Sequence, residues 1–142
     1  MPPRAEHVLF LCVANSARSQ MAEGIARSLA PAGVRVSSAG SMPTSVRPQA
    51  VQVLREIGLD IRDQRSKSVE DVAGPVDVVV TLCAEEVCPV WLGGGVRLHW
   101  PLPDPAAVDG SDEARLEAFR RVRDELRRRL GVFFGARPPK LT

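Results

Sequence analysis

The sequence predicts an α/β fold: a single domain over residues 1–142, in which helices cover both faces of a parallel four-stranded sheet. Short apolar runs alternate along the chain with segments whose apolar residues recur at helical spacing, a pattern typical of βαβ units. One run, residues 76–82, is β-branched and almost continuously apolar, as expected of a strand buried on both faces of a parallel sheet. A chain of 142 residues, 44% of them hydrophobic, has enough apolar side chains for one core.

The N-terminal half contains two predicted strands and two predicted helices. Residues 7–11 form an apolar strand, and a helix follows from Gln20 until Pro31 stops it. Residues 34–40 alternate in polarity like a second strand, and the second helix begins near Pro48. The inner faces of the two helices are given by regularly spaced apolar residues: Met21, Ala22, Ile25, Ala26 and Leu29 in the first, and Ala50, Val53, Leu54 and Ile57 in the second.

The C-terminal half continues the alternation. We expect a short helix near residues 69–72, strands at residues 76–82 and 96–100, and a last helix that begins near Ser111. That helix has an apolar stripe made of Leu116, Phe119, Val122, Leu126 and Leu130. Its basic residues are predicted to form the solvated face: Arg120, Arg121, Arg123, Arg127, Arg128 and Arg129.

Composition argues against nucleic-acid and membrane partners. The net charge is only +2, and no aromatic residues interleave with the arginines of the last helix, so a nucleic-acid surface is not expected. The first residues lack the apolar core of a signal peptide, and no apolar segment approaches the ~20 residues that span a bilayer. We therefore expect a soluble cytoplasmic protein, in which the three cysteines are more often catalytic or metal-binding than structural.

The most informative stretch, residues 12–19, joins the first strand to the first helix and is called the oxyanion loop below. A strand that turns into a helix in this way presents a ring of backbone N–H groups at the positive end of the helix dipole, where tetrahedral oxyanions bind. Cys12 at the lip of the ring is the predicted nucleophile, and Arg18, after five intervening residues, offers two N–H donors to two anion oxygens. The other residues predicted to surround the anion are Val13, Ala14, Asn15, Ser16, Ala17 and Ser19.

Further polar side chains follow the other predicted strands. Ser38 lies at the end of the second strand, Cys83 follows the third, and Asp104 comes shortly after the fourth. Ligands of parallel α/β sheets bind at the carboxyl ends of the strands, so we expect these residues near Cys12. Asp104 precedes Pro105 and would also suit an ordinary turn, but its place in the chain favours a catalytic role.

These residues together resemble the low-molecular-weight tyrosine phosphatase family and, within it, the thioredoxin-coupled arsenate reductases. The resemblance covers nearly the whole chain. It rests on residues 12–24, Ser38-Ala39-Gly40, residues 79–83 with Cys88-Pro89, and His99-Trp100 followed by Asp104-Pro105. It implies the phosphatase fold, the reduction of arsenate to arsenite without a cofactor, and thioredoxin as the reductant.

The resemblance also implies a relay of three thiols. Cys12 attacks arsenate while Asp104 protonates the departing oxygen, Cys83 then attacks the sulfur of the adduct, and Cys88 takes over the resulting disulfide. Cys83 and Cys88 are separated by four residues, fewer than in typical relatives, and can pair only if their Cα atoms come within ~7 Å. Ala17 stands where many relatives carry an extra cysteine, which this relay does not need.

The residues alone leave other interpretations of Cys83 and Cys88 open. They could be inert core thiols, or they could bind zinc together with His99 or Cys12, although no second closely spaced pair accompanies them. We expect no metal.

Some relatives bind a potassium ion through residues that match Asn15, Glu23 and Ser38, together with a carboxylate. Lys67 stands at the position of that carboxylate. Its ammonium group can pair with Glu23 and order Asn15, so we expect no potassium requirement.

Two other functions compete with arsenate reduction. A tyrosine phosphatase on the same fold needs Cys12, Arg18 and Asp104 but neither Cys83 nor Cys88. Such phosphatases usually place tyrosines near the general acid, and this chain contains no tyrosine. A non-enzymatic oxyanion or metal-responsive module is the other alternative, and the sequence offers it no DNA-reading element.

Overall fold

The computed structural model describes residues 6–84 and 87–135. The strands in this part of the chain are β1 (His7–Cys12), β2 (Arg35–Gly40), β3 (Val78–Thr81) and β4 (Val96–His99). The helices are α1 (Arg18–Leu29), α2 (Pro48–Arg55) and α3 (Asp112–Gly135). Two 3-10 turns cover Val69–Asp71 and Pro105–Ala107. None of the described helices has both the length and the apolar character needed to cross a membrane.

The four strands form one parallel sheet in the order β2-β1-β3-β4, which confirms the predicted architecture. The central strand β1 is buried along its whole length, and its Leu11 lies opposite Ala39 of β2 and Thr81 of β3. Because parallel strands end at one edge of a sheet, the loops after β1, β2 and β3 lie together there. The functional residues of those loops are therefore neighbours.

Most predicted boundaries are within one residue of the observed ones, and two elements differ by two residues at their start. Helix α1 begins at Arg18, two residues before the expected Gln20, so Arg18 and Ser19 belong to its first turn. The ladder of β3 covers only Val78–Thr81, while Val76 precedes it and packs in the smaller of the two cores.

Most of the hydrophobic core lies on one face of the sheet. Val8 and Phe10 of β1 point to this face and pack with buried residues from all three α-helices, such as Ile25, Leu54 and Phe119. Burial of each such side chain stabilises the fold by roughly 1.5–3 kcal/mol. The three helices also pack against one another, so α1, which follows the oxyanion loop, is held on its outer side as well.

The second face has a smaller core, and the short helix predicted near residues 69–72 covers part of it as the 3-10 turn Val69–Asp71. Leu9, Leu11 and Val79 are buried there and pack against residues including Val69 of the first 3-10 turn and Trp91. The cover on this face is thus a 3-10 turn and an extended segment, and not an α-helix. The physical reason is that the segments between the neighbouring elements contain Gly, Pro and charged residues and no apolar repeat long enough for a helical stripe.

The arginines of α3 are mostly paired with carboxylates. Arg120 and Arg123 contact Glu56 at 2.8 and 2.7 Å, and the hydrogen bond from Arg120 is the main reason that the pKa of the Glu56 carboxyl is below its usual range. A hydrogen bond from Arg128 and a second, smaller contribution from Arg129 likewise lower the pKa of the Glu125 carboxyl to about 2.

The prediction of a wholly solvated basic face is wrong for Arg123. Its guanidinium is buried and donates a hydrogen bond of 3.0 Å to the carbonyl oxygen of Val53. The side chain therefore joins α3 to α2, since burying a guanidinium is favourable only when its N–H groups are paired.

Candidate active site

The oxyanion loop lines a cavity of about 180 Å³ at the carboxyl edge of the sheet. Cys12, 2% exposed, lies at its base. Asn15 has a φ of 49°, a left-handed conformation that asparagine tolerates better than most residues, and this lets the loop turn sharply into α1. The lining residues are Cys12, Val13, Ala14, Ser16, Ala17, Arg18 and Asp104. The cavity thus combines a thiol, a guanidinium, a carboxyl and the start of a helix.

A hydrogen-bond chain leads away from the thiol. The amide nitrogen of Asn15 donates to the hydroxyl oxygens of Ser19 at 2.7 Å and Ser38 at 2.9 Å. Since Ser19 accepts from Asn15, its own hydrogen is available for Cys12 Sγ at 2.8 Å. The Ser19 hydroxyl thus holds the Cys12 sulfur at the cavity. Ser38 in turn donates to the Glu23 carboxylate.

Glu23 ends the chain as a buried carboxylate with two cationic partners. Its side chain is 2% exposed, with Arg27 Nη2 at 2.8 Å from one oxygen and Lys67 Nζ at 3.4 Å from the other. Lys67 also donates its backbone N–H to Asn15 Oδ1 at 2.8 Å. An ammonium group already lies against the carboxylate, so these residues do not fit a bound potassium ion.

Arg18 and Asp104 form the outer wall of the cavity. The guanidinium of Arg18 is buried and donates to the Leu102 carbonyl oxygen at 3.0 Å, which fixes its direction. Asp104 caps the 3-10 turn at Pro105–Ala107, because its Oδ1 accepts the N–H of Ala106 at 3.0 Å. That bond orients the carboxyl group at the wall of the cavity, in the same lining as Cys12 and Arg18.

Cys83 and Cys88 are joined by a disulfide, and Cys12 is a free thiol. Their Cα atoms are 5.5 Å apart, so four intervening residues are enough to close the ring. Cys83 is 2% exposed, whereas Cys88 is partly exposed. Within residues 6–84 and 87–135, no three His, Cys, Asp or Glu side chains come together as a metal site. The pair is therefore oxidised in this structure and is not two separate core thiols.

Two residues that support the oxyanion loop were not assigned a role from the sequence. Gln20, fully buried, donates from Nε2 to the Asn15 backbone oxygen at 3.1 Å and to Oδ1 at 3.0 Å. Gly40 ends β2 directly against the loop, where a Cβ would overlap the Val13 carbonyl oxygen and lie 2.9 Å from the Asn15 nitrogen. In the sequence, only a polar residue on the inner face of α1 and a glycine at the end of a strand could have indicated these two supporting roles.

The structure brings the predicted residues into two layers. The oxyanion loop and Asp104 surround the cavity, and Ser38, Glu23 and Lys67 lie behind Asn15. Cys83 does not line the cavity, but it follows β3, the strand beside β1, by two residues. The thiol pair therefore lies at the same edge of the sheet as Cys12.

Comparison with known proteins agrees with this geometry. A family model described as low molecular weight phosphotyrosine protein phosphatase matches residues 7–137. The chain belongs to this family. Within the family it is similar to the arsenate reductase of Halalkalibacterium halodurans, which is 43% identical over 129 residues that cover 89% of this chain and 93% of the relative.

Two solved structures extend the comparison within the phosphatase family. The arsenate reductase of Archaeoglobus fulgidus superposes with a TM-score of 0.76 at 30% identity, covering 90% of this chain and 98% of that one. A thioredoxin-dependent arsenate reductase of Corynebacterium glutamicum gives a TM-score of 0.60 at 27% identity, covering 94% of this chain and 65% of that one. The similarity to arsenate reductases thus extends to the three-dimensional fold.

Proposed function

We propose that this protein reduces arsenate to arsenite through a relay of Cys12, Cys83 and Cys88, and that thioredoxin returns the enzyme to its reduced form. The Cys83–Cys88 disulfide beside an oxyanion loop with a free thiol is the observation that carries the proposal. A phosphatase of the same fold has no use for a redox pair at this edge of the sheet.

The first step takes place inside the cavity. Arsenate is held by the backbone N–H groups of the oxyanion loop and by Arg18, which offset the charge on its oxygens. The Cys12 thiolate attacks arsenic(V), forming an S–As bond, while an As–O bond breaks and Asp104 protonates the departing oxygen so that it leaves as water. Ser19 holds the sulfur in position through its hydroxyl group.

The second and third steps move the oxidising equivalent from arsenic to the thiol pair. Cys83 attacks the sulfur of Cys12, the electrons of the S–As bond pass to arsenic, and arsenite leaves as a Cys12–Cys83 disulfide forms. Cys88 then attacks Cys83, which releases Cys12 as a thiolate. The product of this third step is the disulfide that the structure contains.

The reductant is expected to attack Cys88. Cys83 is buried, whereas Cys88 is partly exposed, so an external thiolate reaches the sulfur of Cys88 and displaces Cys83. The neighbouring Val87 and Leu92 are 88% and 91% exposed, which suits contact with a protein reductant better than with a small thiol. Similarity to a thioredoxin-dependent reductase supports thioredoxin. The cytoplasm, which keeps thioredoxin reduced, is the compartment that this proposal requires.

Single serine variants of the three cysteines test the relay. Arsenate-dependent NADPH consumption with thioredoxin and thioredoxin reductase should be lost in Cys12→Ser, Cys83→Ser and Cys88→Ser. Slow hydrolysis of para-nitrophenyl phosphate requires the oxyanion loop and Asp104 but neither Cys83 nor Cys88. Of the three variants only Cys12→Ser should therefore lose it, and hydrolysis by the other two shows that they are folded. Multiple arsenate turnovers by Cys83→Ser or Cys88→Ser would overturn the relay, and efficient hydrolysis with negligible arsenate turnover by the unmodified protein would indicate a phosphatase.

A further inference from the structure

We propose that the reduced Cys83 and Cys88 thiols form a second arsenic site, which binds the trivalent product arsenite and so inhibits the enzyme. The proposal rests on the proposed function for the source of the arsenite, but the binding itself requires only the dithiol. Cys12 and the oxyanion loop take no part in this site.

The disulfide shows that the two sulfur atoms can approach a common point. With their Cα atoms 5.5 Å apart and four residues between them, the two thiols formed on reduction can bridge a single atom. The spacing is like that of paired cysteine ligands in metal-binding loops. Partly exposed Cys88 gives arsenite access from solvent, while buried Cys83 lies on the protein side of the ring.

The backbone helps to position one of the two sulfurs. The N–H of Cys83 points at Cys88 Sγ, with a nitrogen to sulfur distance of 3.3 Å. This contact holds the sulfur of the partly exposed Cys88 next to the backbone of the buried Cys83.

The number of available ligands favours a trivalent metalloid over zinc. Zinc in a structural site takes four protein ligands, and the described residues provide no group of three His, Cys, Asp or Glu. Trivalent arsenic needs three ligands, so two sulfurs and one hydroxide complete it. The reaction is balanced without a redox change: As(OH)₃ and two thiols give two S–As bonds, two As–O bonds break, and two molecules of water leave.

The oxyanion loop is poorly suited to the same ligand. Its guanidinium and N–H groups attract anions, whereas arsenous acid is uncharged near neutral pH. Cys12 is also engaged by the Ser19 hydroxyl group at 2.8 Å, inside a cavity of about 180 Å³. Arsenite on Cys83 and Cys88 would block the second step of the relay, because Cys83 could no longer attack the Cys12 adduct. It would leave the chemistry of Cys12 itself intact.

Native mass spectrometry of the fully reduced protein, freed of reductant and titrated with sodium arsenite, tests the site. We expect one arsenic per chain in the unmodified protein and in Cys12→Ser, and binding weaker by about 10²–10⁴-fold in Cys83→Ser and Cys88→Ser, because each loses the second, intramolecular bond. The oxidised protein has the same fold without the thiols and should bind no arsenic. Unchanged affinity in Cys88→Ser, lost binding in Cys12→Ser, or no binding by the reduced protein would overturn the proposal.

Kinetics separate this proposal from the relay. Arsenite should inhibit arsenate turnover without competing with arsenate, and it should leave para-nitrophenyl phosphate hydrolysis unchanged, since hydrolysis needs neither Cys83 nor Cys88. Inhibition of both reactions by arsenite would place the metalloid on Cys12 and overturn the proposal. If Cys12→Ser binds arsenite while the unmodified protein fails to reduce arsenate, the proposed function falls and the dithiol site stands.

Discussion

Replacement of Lys67 by methionine should weaken both the fold and arsenate turnover, because the buried Glu23 carboxylate would lose one of its two cations. At 3.4 Å, two unit charges attract by about 5 kcal/mol at an effective dielectric constant of 20. The net effect is smaller, since Lys67 is 36% exposed and Arg27 stays 2.8 Å from the other oxygen of Glu23. We expect a loss of about 1–2 kcal/mol, which lies between the values for exposed and buried ion pairs.

The loss should reach the active site through hydrogen bonds. Glu23 accepts a hydrogen bond from Ser38. Ser38 and Ser19 each accept a hydrogen bond from the Asn15 amide, and the Ser19 hydroxyl group holds the Cys12 sulfur. If the whole 1–2 kcal/mol acts on the position of that thiol, kcat/KM for arsenate falls by roughly 5–30-fold. Arg65→Met is the matched control, because Arg65 is an exposed cation two residues away, while the cations paired with Glu23 in the described part of the chain are Arg27 and Lys67.

The dependence of turnover on potassium tests whether the positive charge of Lys67 is what the site requires. Turnover of the unmodified protein should be the same in potassium and sodium chloride at matched ionic strength, because an ammonium already lies at Glu23. Lys67→Asp places a second carboxylate there and should make turnover rise specifically with potassium. Kinetics of Lys67→Met equal to those of Arg65→Met, or potassium stimulation of the unmodified protein, would refute the assignment of Lys67 as the internal cation.

Two further substitutions test the support of the site and of the fold. Gly40→Ala should lower arsenate turnover by about 100-fold, since the new methyl group overlaps the Val13 carbonyl oxygen and displaces the oxyanion loop by a distance that catalysis does not tolerate. Gly94→Ala, where a Cβ has nothing within 4 Å, should leave turnover unchanged, and equal rates for the two variants would contradict this account. Glu56→Gln should lower the free energy of unfolding in urea at pH 7 by up to about 1 kcal/mol. Arg120 lowers the pKa of Glu56 in the folded state, so the ion pair stabilises the fold above the pKa of about 4.3 that Glu56 has in the unfolded chain, and this stabilisation is lost as the pH falls through the folded-state pKa. The variant and the unmodified protein should therefore differ less in free energy of unfolding near pH 3 than at pH 7. An equal difference at both pH values would contradict the ion pair.

Local sequence signals were sufficient for the strands and the oxyanion loop. Residues 7–11 are apolar without interruption and run directly into Cys12, so strand, turn and helix follow from neighbours in the sequence. The partnership between Glu23 and Lys67 came from the resemblance to a family, and the structure contains their contact.

Tertiary contacts explain what could not be predicted. Arg123 has the same pattern as its exposed neighbours on α3, and only the approach of α2 buries it against Val53 and Glu56. Likewise, the helical spacing of Gln20 does not reveal that its amide holds Asn15, because Asn15 reaches that position through the turn of the loop. Nor does a spacing of four residues show whether the two cysteines meet, whereas the structure places their Cα atoms 5.5 Å apart and joins them by a disulfide.

The burial of the three sulfur atoms gives the relay a direction. Cys12 and Cys83 are each 2% exposed, and only Cys88 is open to solvent in part. In the proposed relay the exchange from Cys12–Cys83 to Cys83–Cys88 therefore moves the disulfide from a buried pair toward the surface, where a reductant as large as thioredoxin can reach it. The same order separates reduction from hydrolysis: the Cys12 adduct reacts either with water or with Cys83, and the neighbouring strand delivers Cys83 to the edge where the adduct forms. With phosphate, attack by Cys83 would have to place an electron pair on phosphorus, which phosphate chemistry does not permit, so hydrolysis is the only exit. On the proposed mechanism, one oxyanion loop would therefore reduce arsenate and hydrolyse a phosphate ester slowly, and the nature of the bound oxyanion would determine which reaction follows.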